Sequence, residues 1–350
     1  MKVLDGQLSF EQMEISEIPT PEMELYRTAP TDTILDAFAK HYLKIRGGCG
    51  WNFKHIVVSI SGGADSDRVL DMIERIGYKP GTVQYVFFDT GVEYQATKDH
   101  LKQLEDKYGI EIKRVKASMP VPLAVKKYGV PFLSKKVSDN IHRLQSNGFQ
   151  WEDEPFEVLY ARYPKCKAAL RWWCNAWGEN SQVNISRWRG LKEFMIQNPP
   201  DFPISPMCCT KAKKDTAHAI LKEENADLNV IGLRKAEGGA RGILTTCFEE
   251  DSFGVSVLRL VFWFQKEDCQ KYDAFYGIDH SDCYTRYGLR RTGCACCPFG
   301  RDFEKELEAA KMYEPKLYMA ANNIFGKSYE YRRKFREFQK GFNNGERTES

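Results

Sequence analysis

Three groups of residues in this 350-residue chain have types and spacings suited to chemistry. The first is Ser61-Gly62-Gly63-Ala64-Asp65-Ser66, which follows directly on the run His55 to Ile60. Two glycines let a backbone turn tightly and bring its N–H groups against an anion. The hydroxyls of Ser61 and Ser66 add donors, and a helix starting there supplies partial positive charge. That is a cradle for phosphate or pyrophosphate. The Walker A pattern G-x-x-x-x-G-K and the dinucleotide pattern G-x-G-x-x-G are both absent, and the bland alternative is an ordinary glycine turn. The second group is Cys208-Cys209 followed, after 84 residues, by Cys294-x-x-Cys297. Four thiolates arriving from loops suit an iron–sulfur cluster, and a CxxC turn supplies two of them. Zinc sites favour spacers of roughly two to four residues over adjacent cysteines, but a zinc site and plain buried thiols remain alternatives. Cys296 is a rival within the same loop, and Cys283 a more distant one. The third group is Cys166 and Cys174, which a helix would set a little over two turns apart on one face. Lys165, Lys167 and Arg171 beside them would lower the pKa of an exposed thiol, giving Cys174 a nucleophilic role; simple packing is the alternative.

The surrounding text shows which elements carry these groups. Ile56 to Ile60 is a β-branched run suited to a strand buried on both faces. Asp65 to Gly77 follows as a helix with Val69, Met72, Ile73 and Ile76 on one face and Gly77 as its stop. Val83 to Phe88 reads as a second strand, Tyr94 to Tyr108 as a second helix, and Gly109 to Ala117 as a third strand. Strands alternating with helices imply βαβ crossovers and an open, mostly parallel sheet with helices on both faces, an α/β fold. From about 120 to 205 the pattern gives way to a basic, tryptophan-rich stretch, expected to be a helical insertion. A helix over about Thr210 to Ala226 and a strand in Leu228 to Arg234 resume the β/α pattern. A short apolar segment (Leu258 to Phe264), a cysteine-rich loop (Cys283 to Gly300) and a helical tail complete the chain. The expected organisation is a peripheral helical segment at 1–50, a nucleotide-binding domain at 51–262 containing the insertion, and a C-terminal region at 263–350. In the first segment Ile34, Leu35, Phe38, Tyr42 and Leu43 form the amphipathic stretch of one helix, after an acidic leader with Pro19 and Pro21 and before the glycines of RGGCG.

Composition narrows the class. With 42% hydrophobic and 28% charged residues the chain can bury a core, so disorder is excluded. A net charge of +3 demands no polyanionic partner, although a local basic patch is compatible with it. No apolar run reaches the ~18 residues of a membrane helix. Eleven cysteines in a long chain whose first twenty residues hold four acids do not read as a secreted disulfide framework. The expectation is a cytoplasmic enzyme with reduced thiols and no membrane partner. Cys49, Cys247 and Cys269 have no assigned chemistry.

SGGADS resembles the SGGxDS signature of the PP-loop ATP pyrophosphatases. Asp89-Thr90-Gly91, at the end of the second strand, is similar to the DTG segment of the phosphoadenylyl-sulfate (PAPS) reductase branch of that superfamily. Gly232-Leu233-Arg234-Lys235-Ala236-Glu237 is similar to the family's G-x-R-x-x-E segment, and Tyr284 with Tyr287 to Cys294 resembles the stretch leading into its C-terminal cysteine pair. These matches cover about half of the chain. The resemblance implies an adenine nucleotide alpha hydrolase-like fold holding ATP, adenylyl sulfate or PAPS. Ser61, Gly62, Gly63, Asp65 and Ser66 would lie on the phosphates, Asp65 would reach a magnesium ion, Asp89, Thr90 and Gly232 would sit beside the nucleotide, and Arg234 would face phosphate or the transferring group. Arg241 is a further phosphate candidate. Adenylyl-sulfate reductases carry a Cys-Cys and a CxxC as ligands of a 4Fe-4S cluster, and the related ATP pyrophosphatases of DNA phosphorothioation have cysteine clusters too. The resemblance therefore makes Cys208, Cys209, Cys294 and Cys297 the ligand set.

Two departures choose among reactions. The family's reductases use a C-terminal cysteine, whereas none follows Cys297 here, and the loop is an intact SGGxDS, which goes with splitting ATP to adenylate an acceptor. The leading expectation is an ATP-dependent iron–sulfur enzyme of sulfur transfer, drawing on a cysteine desulfurase or another sulfur donor, with DNA or RNA as an acceptor. The alternatives are an adenylyl-sulfate or PAPS reductase using Cys166 or Cys174, and a nucleotide-sensing or DNA-binding module of a defence or mobile-element system with a structural cluster. Lys327 to Lys340 interleaves six basic residues with Tyr329, Tyr331, Phe335 and Phe338, a pattern that would track phosphates and stack bases. Its alternative is an amphipathic helix docked through its aromatic face.

Overall fold

In the computed structural model the described residues are 28–45, 53–75, 83–178, 181–250 and 254–345. The acidic leader with Pro19 and Pro21, the RGGCG glycines with Cys49, the stop at Gly77 and the side chains of Tyr42 and Leu43 lie outside them. The chain divides into two compact units, each assembled from three separated segments: Met1–Phe88, Gln95–Val115 and Ala217–Thr292 in the first, and Asp89–Tyr94, Lys116–Thr216 and Gly293–Ser350 in the second.

The first unit is built on a six-stranded sheet of order β3-β2-β1-β4-β6-β5. Its strands are β1 (Ile56–Ile60), β2 (Val83–Asp89), β3 (Ile112–Lys116), β4 (Leu228–Ile231), β5 (Phe248–Glu250) and β6 (Ser256–Leu258). β1 pairs in parallel with both β2 and β4, Val58 lying between Tyr85 and Val230, while β4 and β6 are parallel and β5 closes the edge antiparallel. This is an open, mostly parallel α/β sheet, as the alternation of strands and helices predicts. Helices α1 (Asp32–Ile45), α2 (Ala64–Arg75) and α3 (Gln95–Tyr108) accompany it. One core joins Ile34 and Phe38 of α1, Val58 and Ile60 of β1, Leu70 and Ile73 of α2, and Tyr272 from the helix Lys266–Tyr276, all buried. The periodic apolar positions thus do what their spacing predicts.

The edge strands carry no such signal. β5 and β6 have three residues each, too few for alternation to show in sequence, and only pairing to a neighbour makes them strands. The segment read as one apolar run ends its strand at Leu258 and continues as turns through Phe264, in which Trp263 is exposed while Leu260, Val261, Phe262 and Phe264 are buried.

The second unit is helical, as expected for the insertion. Its helices include α4 (Phe156–Arg162), α5 (Lys167–Trp173) and the long α6 (Pro315–Gly345). The helix expected from Thr210 begins earlier, at Met207–Cys209, and widens to a π turn over Thr210–Lys214 before continuing as Asp215–Glu223. Trp172 and Trp173 are fully buried, and Trp173 packs edge-on against Phe149 and Trp151.

The tail corrects one expectation. Tyr329, Tyr331 and Phe335 of α6 are buried, Tyr331 and Phe335 pack on Phe132 and Phe194, and Arg333 and Arg336 pair with Glu304. The interleaved aromatics and cations of Lys327 to Lys340 therefore belong to a docked amphipathic helix. Its rings are spent on the core and are not available to stack bases.

Among the described residues no helix is long and apolar enough to cross a membrane.

Candidate functional site

The strand order places a topological switch at β1, whose two neighbours are reached by connections running to opposite sides. In open α/β sheets ligands bind at such a point, outside the strand C-termini. Ser61 to Ser66 follows β1 and Gly232 to Glu237 follows β4, so the two motifs converge there. Gly232 presses against the start of α2: a Cβ on it would lie 2.7 Å from the Asp65 carbonyl carbon and the Ser66 nitrogen. Gly62 has φ +65°, and its Cβ would meet Thr97 Cγ2 at 2.6 Å. Both positions require glycine for close backbone approach, a structural duty that precedes any contact with a nucleotide.

The loop saturates its own amides. Ser66 Oγ accepts from the N–H groups of Ser61 and Gly63 at 3.3 and 3.1 Å and donates to the Gly63 carbonyl at 2.7 Å. The Tyr284 hydroxyl accepts from the amides of Ala64 and Thr292, at 3.2 Å each. Ser66 is buried and braces the turn, while Ser61 is exposed.

Asp65 is the hub of a charge network. Its Oδ1 accepts from Arg234 Nε and from Arg68 Nη1, each at 2.7 Å. Arg68, 5% exposed, also forks onto Asp273 at 2.7 and 2.5 Å. His280 bridges Asp67 at 2.9 Å and Asp273 at 3.1 Å, and His100 lies 3.0 Å from Asp67. Burial works against a charge on His280, yet hydrogen bonds to Asp273 and Asp67 push its pKa up to about 9. Burial likewise pushes the Asp273 carboxyl up, but His280 and Arg68 hold it below the usual carboxylate range. Arg241 pairs with Glu237, and burial together with the neighbouring Arg291 and Arg234 lowers its pKa while Asp65 raises it. Arg68 and Arg234 therefore share the Asp65 carboxylate beside the loop, with Arg241 close to both Asp65 and Arg234.

Sequence reasoning picked out Asp65 and Arg234 but missed Arg68, Asp273 and His280. The only available signal was the i, i+3 spacing of Asp65 and Arg68 on α2. Asp273 and His280 lie over 200 residues from Arg68, and nothing local marks them.

The second unit holds the cysteines. Cys208 lies in the first turn of a helix introduced by Pro206, with Cys209 next to it. Cys208 donates its thiol hydrogen to Cys209, which lowers the Cys209 pKa to about 6 against the effect of burial, with help from Lys135, Lys213 and Lys214. Cys208 is raised by that same bond and by burial, and by the nearness of Cys209, Cys297 and Cys294. Burial pushes Cys297 up to about 12, with Cys294 and Cys209 adding to it. The four cysteines thus share one electrostatic neighbourhood. Lys213 remains solvent-accessible, and Cys294 first, then Glu93, holds its ammonium charged.

The loop bearing Cys294 and Cys297 is braced from several sides. Ala295 N–H donates to the Val92 carbonyl at 2.7 Å. Cys296 takes φ +54°, its N–H donates to the Tyr94 hydroxyl, its Sγ faces the Glu306 carbonyl at 3.5 Å, and its own carbonyl accepts from Tyr329. Arg332 donates to the carbonyls of Pro298 and Gly300. Cys296 is fully buried in these contacts, with its sulfur committed to protein. Cys283, the other rival, belongs to the first unit, where it lies 3.6 Å from Thr97 Oγ1. Asp89 and Thr90, expected beside the nucleoside, fall in the second unit. There Asp89 caps the Gly91 amide, and the buried Thr90 hydroxyl bonds Glu93 and sits 3.4 Å from Cys294 Sγ.

Among the described residues no group of three or more His, Cys, Asp or Glu side chains is placed to hold a metal ion. Cys208, Cys209, Cys294 and Cys297 are of the type a 4Fe-4S cluster takes, one thiolate on each iron, and they act on one another electrostatically. For Cys166 and Cys174 burial pushes both thiols up, the reverse of what an activated thiolate needs.

Residues 55–144 match the family model described as "Phosphoadenosine phosphosulfate reductase domain". No curated protein matches the sequence significantly. Similar solved structures include phosphoadenylyl-sulfate (PAPS) reductase from Candida auris, at 14% identity and TM-score 0.40 over 82% of this chain and 96% of that one. FMN adenylyltransferase from Candida glabrata is 10% identical, with TM-score 0.39 over 80% of this chain and 68% of that one. The U34-tRNA thiolase NcsA from Methanococcus maripaludis, solved with its 4Fe-4S cluster, is 11% identical, with TM-score 0.35 over 89% and 80%. The SGGADS loop, at the switch point of the parallel sheet, lies within the segment 55–144 that matches the phosphoadenosine phosphosulfate reductase domain model, about a quarter of the chain.

Proposed function

We propose that this protein is an ATP-dependent, adenylating enzyme that activates an oxygen of its acceptor for replacement by sulfur, the acceptor being a nucleic acid. The observation that carries the reading is that Asp65, within the Ser61 to Ser66 loop, is held by Arg234 and Arg68, with Arg241 near both Asp65 and Arg234. A planar guanidinium held on a carboxylate at a phosphate cradle can transfer to a phosphate as one enters. Asp65, released from Arg234, then offers an oxygen to magnesium. The acceptor oxygen attacks the α-phosphorus, the bond to the β-phosphate breaks, and pyrophosphate leaves with its charge spread over the loop amides and arginines. A sulfur nucleophile from a desulfurase or another donor displaces AMP together with the activated oxygen. Cys208, Cys209, Cys294 and Cys297 would hold a 4Fe-4S cluster, which supplies a site to stage sulfur or a structural staple. No disulfide joins the ten described cysteines, and the reading places the protein in a reducing compartment such as the cytoplasm.

The test is pyrophosphate release from ATP and magnesium, with and without nucleic acid. Release is the expected result. Sulfite release from adenylyl sulfate or PAPS with a thiol donor, and no pyrophosphate from ATP, would make the protein a reductase instead. Neither activity, together with salt-sensitive DNA binding, would leave a nucleotide-sensing module.

A further inference from the structure

With the tail's aromatics committed to the core, one other surface of the second unit combines exposed rings with unpaired cations. We infer that the α4–α5 face, formed by Phe156, Tyr160, Lys167, Arg171 and Trp177, is the docking surface for a single-stranded segment of nucleic acid. The inference rests on the proposed nucleic-acid acceptor and supplies its binding site.

Lys167 and Arg171 are four residues apart on α5, so they share a face one turn apart, about 5.4 Å along the axis. Each lies over a ring at opposite ends of that face. Lys167 Nζ is 5.1 Å from the centre of Tyr160, and Arg171 Cζ is 5.1 Å from the centre of Trp177. Phe156 extends the first platform, stacked on Tyr160 at 5.5 Å with 7° between ring planes. Trp177 is 41% exposed, and its turn is fixed by the Asn184 side chain, which bonds the Trp177 amide and the Gly178 carbonyl. Residues 160–177 contain four cations and no acid. Glu152 and Asp153 are taken by Arg162 and Lys192, whereas neither Lys167 nor Arg171 has a carboxylate partner among the described residues.

The opposite face of α5, with Ala169, Leu170, Trp172 and Trp173, is buried, so packing does not need the exposed groups. An exposed tryptophan and a spare cation one turn from another cation are what a base and its flanking phosphates require. The face presents rings and cations in place of the polar groups that read a 2′-hydroxyl. DNA and RNA strands should therefore bind alike, while a duplex, with its bases already stacked, should bind less well.

The experiment measures fluorescence anisotropy of labelled oligo-dT and oligo-U of about 12 nucleotides, a single-fold site size, and of a matched duplex, across a salt series without ATP. The wild type should bind both single strands within threefold of each other and the duplex at least tenfold more weakly. Trp177→Ala should weaken binding by about 5- to 100-fold, the cost of one lost stacking platform. Lys167→Gln with Arg171→Gln should flatten the salt slope by about 1.4, two phosphate contacts on a single strand. Both variants should keep the wild-type unfolding midpoint and the wild-type affinity for ATP. A wild type that does not bind at low salt, variants that bind like it, or an equal loss from the charge-matched pair Lys222→Gln with Lys266→Gln would overturn the inference. Because no ATP is present, binding can fail while pyrophosphate release stands, and the reverse.

Discussion

Arg234 donates its Nε–H to Asp65 at 2.7 Å across 169 residues of sequence. This ion pair couples the end of β4 to the start of α2 and sets the charge of the phosphate cradle. Arg234→Lys would lose the flat, two-sided donor that serves carboxylate and phosphate in turn. We expect at least a tenfold loss in ATP affinity, the size of one charged hydrogen bond, measured by equilibrium dialysis. Arg68→Ala would leave Asp65 and Asp273 short of a partner in a buried setting. Its unfolding free energy in denaturant should fall by about 3 to 5 kcal/mol, the cost of breaking a buried pair.

His280 gives a pH signature. Its folded pKa is raised to about 9, above the unfolded value of about 6.5. The stabilisation is thus fully present below about pH 6.5 and lost as pH rises through 9, on the order of 3 kcal/mol at most for a side chain 15% exposed. Denaturant unfolding at pH 6, 7.5 and 9.5 should show this decline, and His280→Asn should flatten it. A wild type with stability constant over that range would contradict the network.

The cysteines are tested by metal content. Anaerobically purified protein should be brown with broad absorption near ~400 nm, and Cys208→Ser or Cys294→Ser should lose most of its iron and sulfide. Cys296→Ser should keep them, because the sulfur at that position already faces the Glu306 carbonyl. Colourless wild-type protein with one equivalent of zinc would refute the assignment.

Tyr329 offers a milder probe of the same loop. Tyr329→Phe removes a single hydrogen bond to the Cys296 carbonyl and should cost about 1 kcal/mol, seen as a lower unfolding midpoint and faster bleaching of the ~400 nm band in air. Arg332→Ala, which frees the carbonyls of Pro298 and Gly300, should bleach faster still.

Cys174→Ser and Cys166→Ser should leave pyrophosphate release within twofold of wild type, because burial pushes both thiols up, away from the reactive thiolate form. A tenfold drop in either would restore a reactive role for that pair.

The sequence by itself determined the parallel sheet, its phosphate loop and the helical insertion, because each is written in local pattern. A β-branched run stops at SGG, an amphipathic repeat follows it, and strands and helices alternate. Such signals survive without knowledge of neighbours. Asp65 and Arg234 were singled out only by the resemblance to a known family, and local pattern could not separate Cys296 from its loop mates or a nucleic-acid arm from a docked helix. Those choices belong to tertiary structure. Cys296 is set apart by Tyr94, Glu306 and Tyr329, which lie up to 202 residues away along the chain. The aromatics of Lys327 to Lys340 are core residues only because Phe132 and Phe194 receive them. The Arg68–Asp273–His280 network exists because folding brings Arg68 into hydrogen-bonding range of a segment 205 residues further along the first unit. A residue's type sets which bonds it can make, and the packing around it decides which of them it does make.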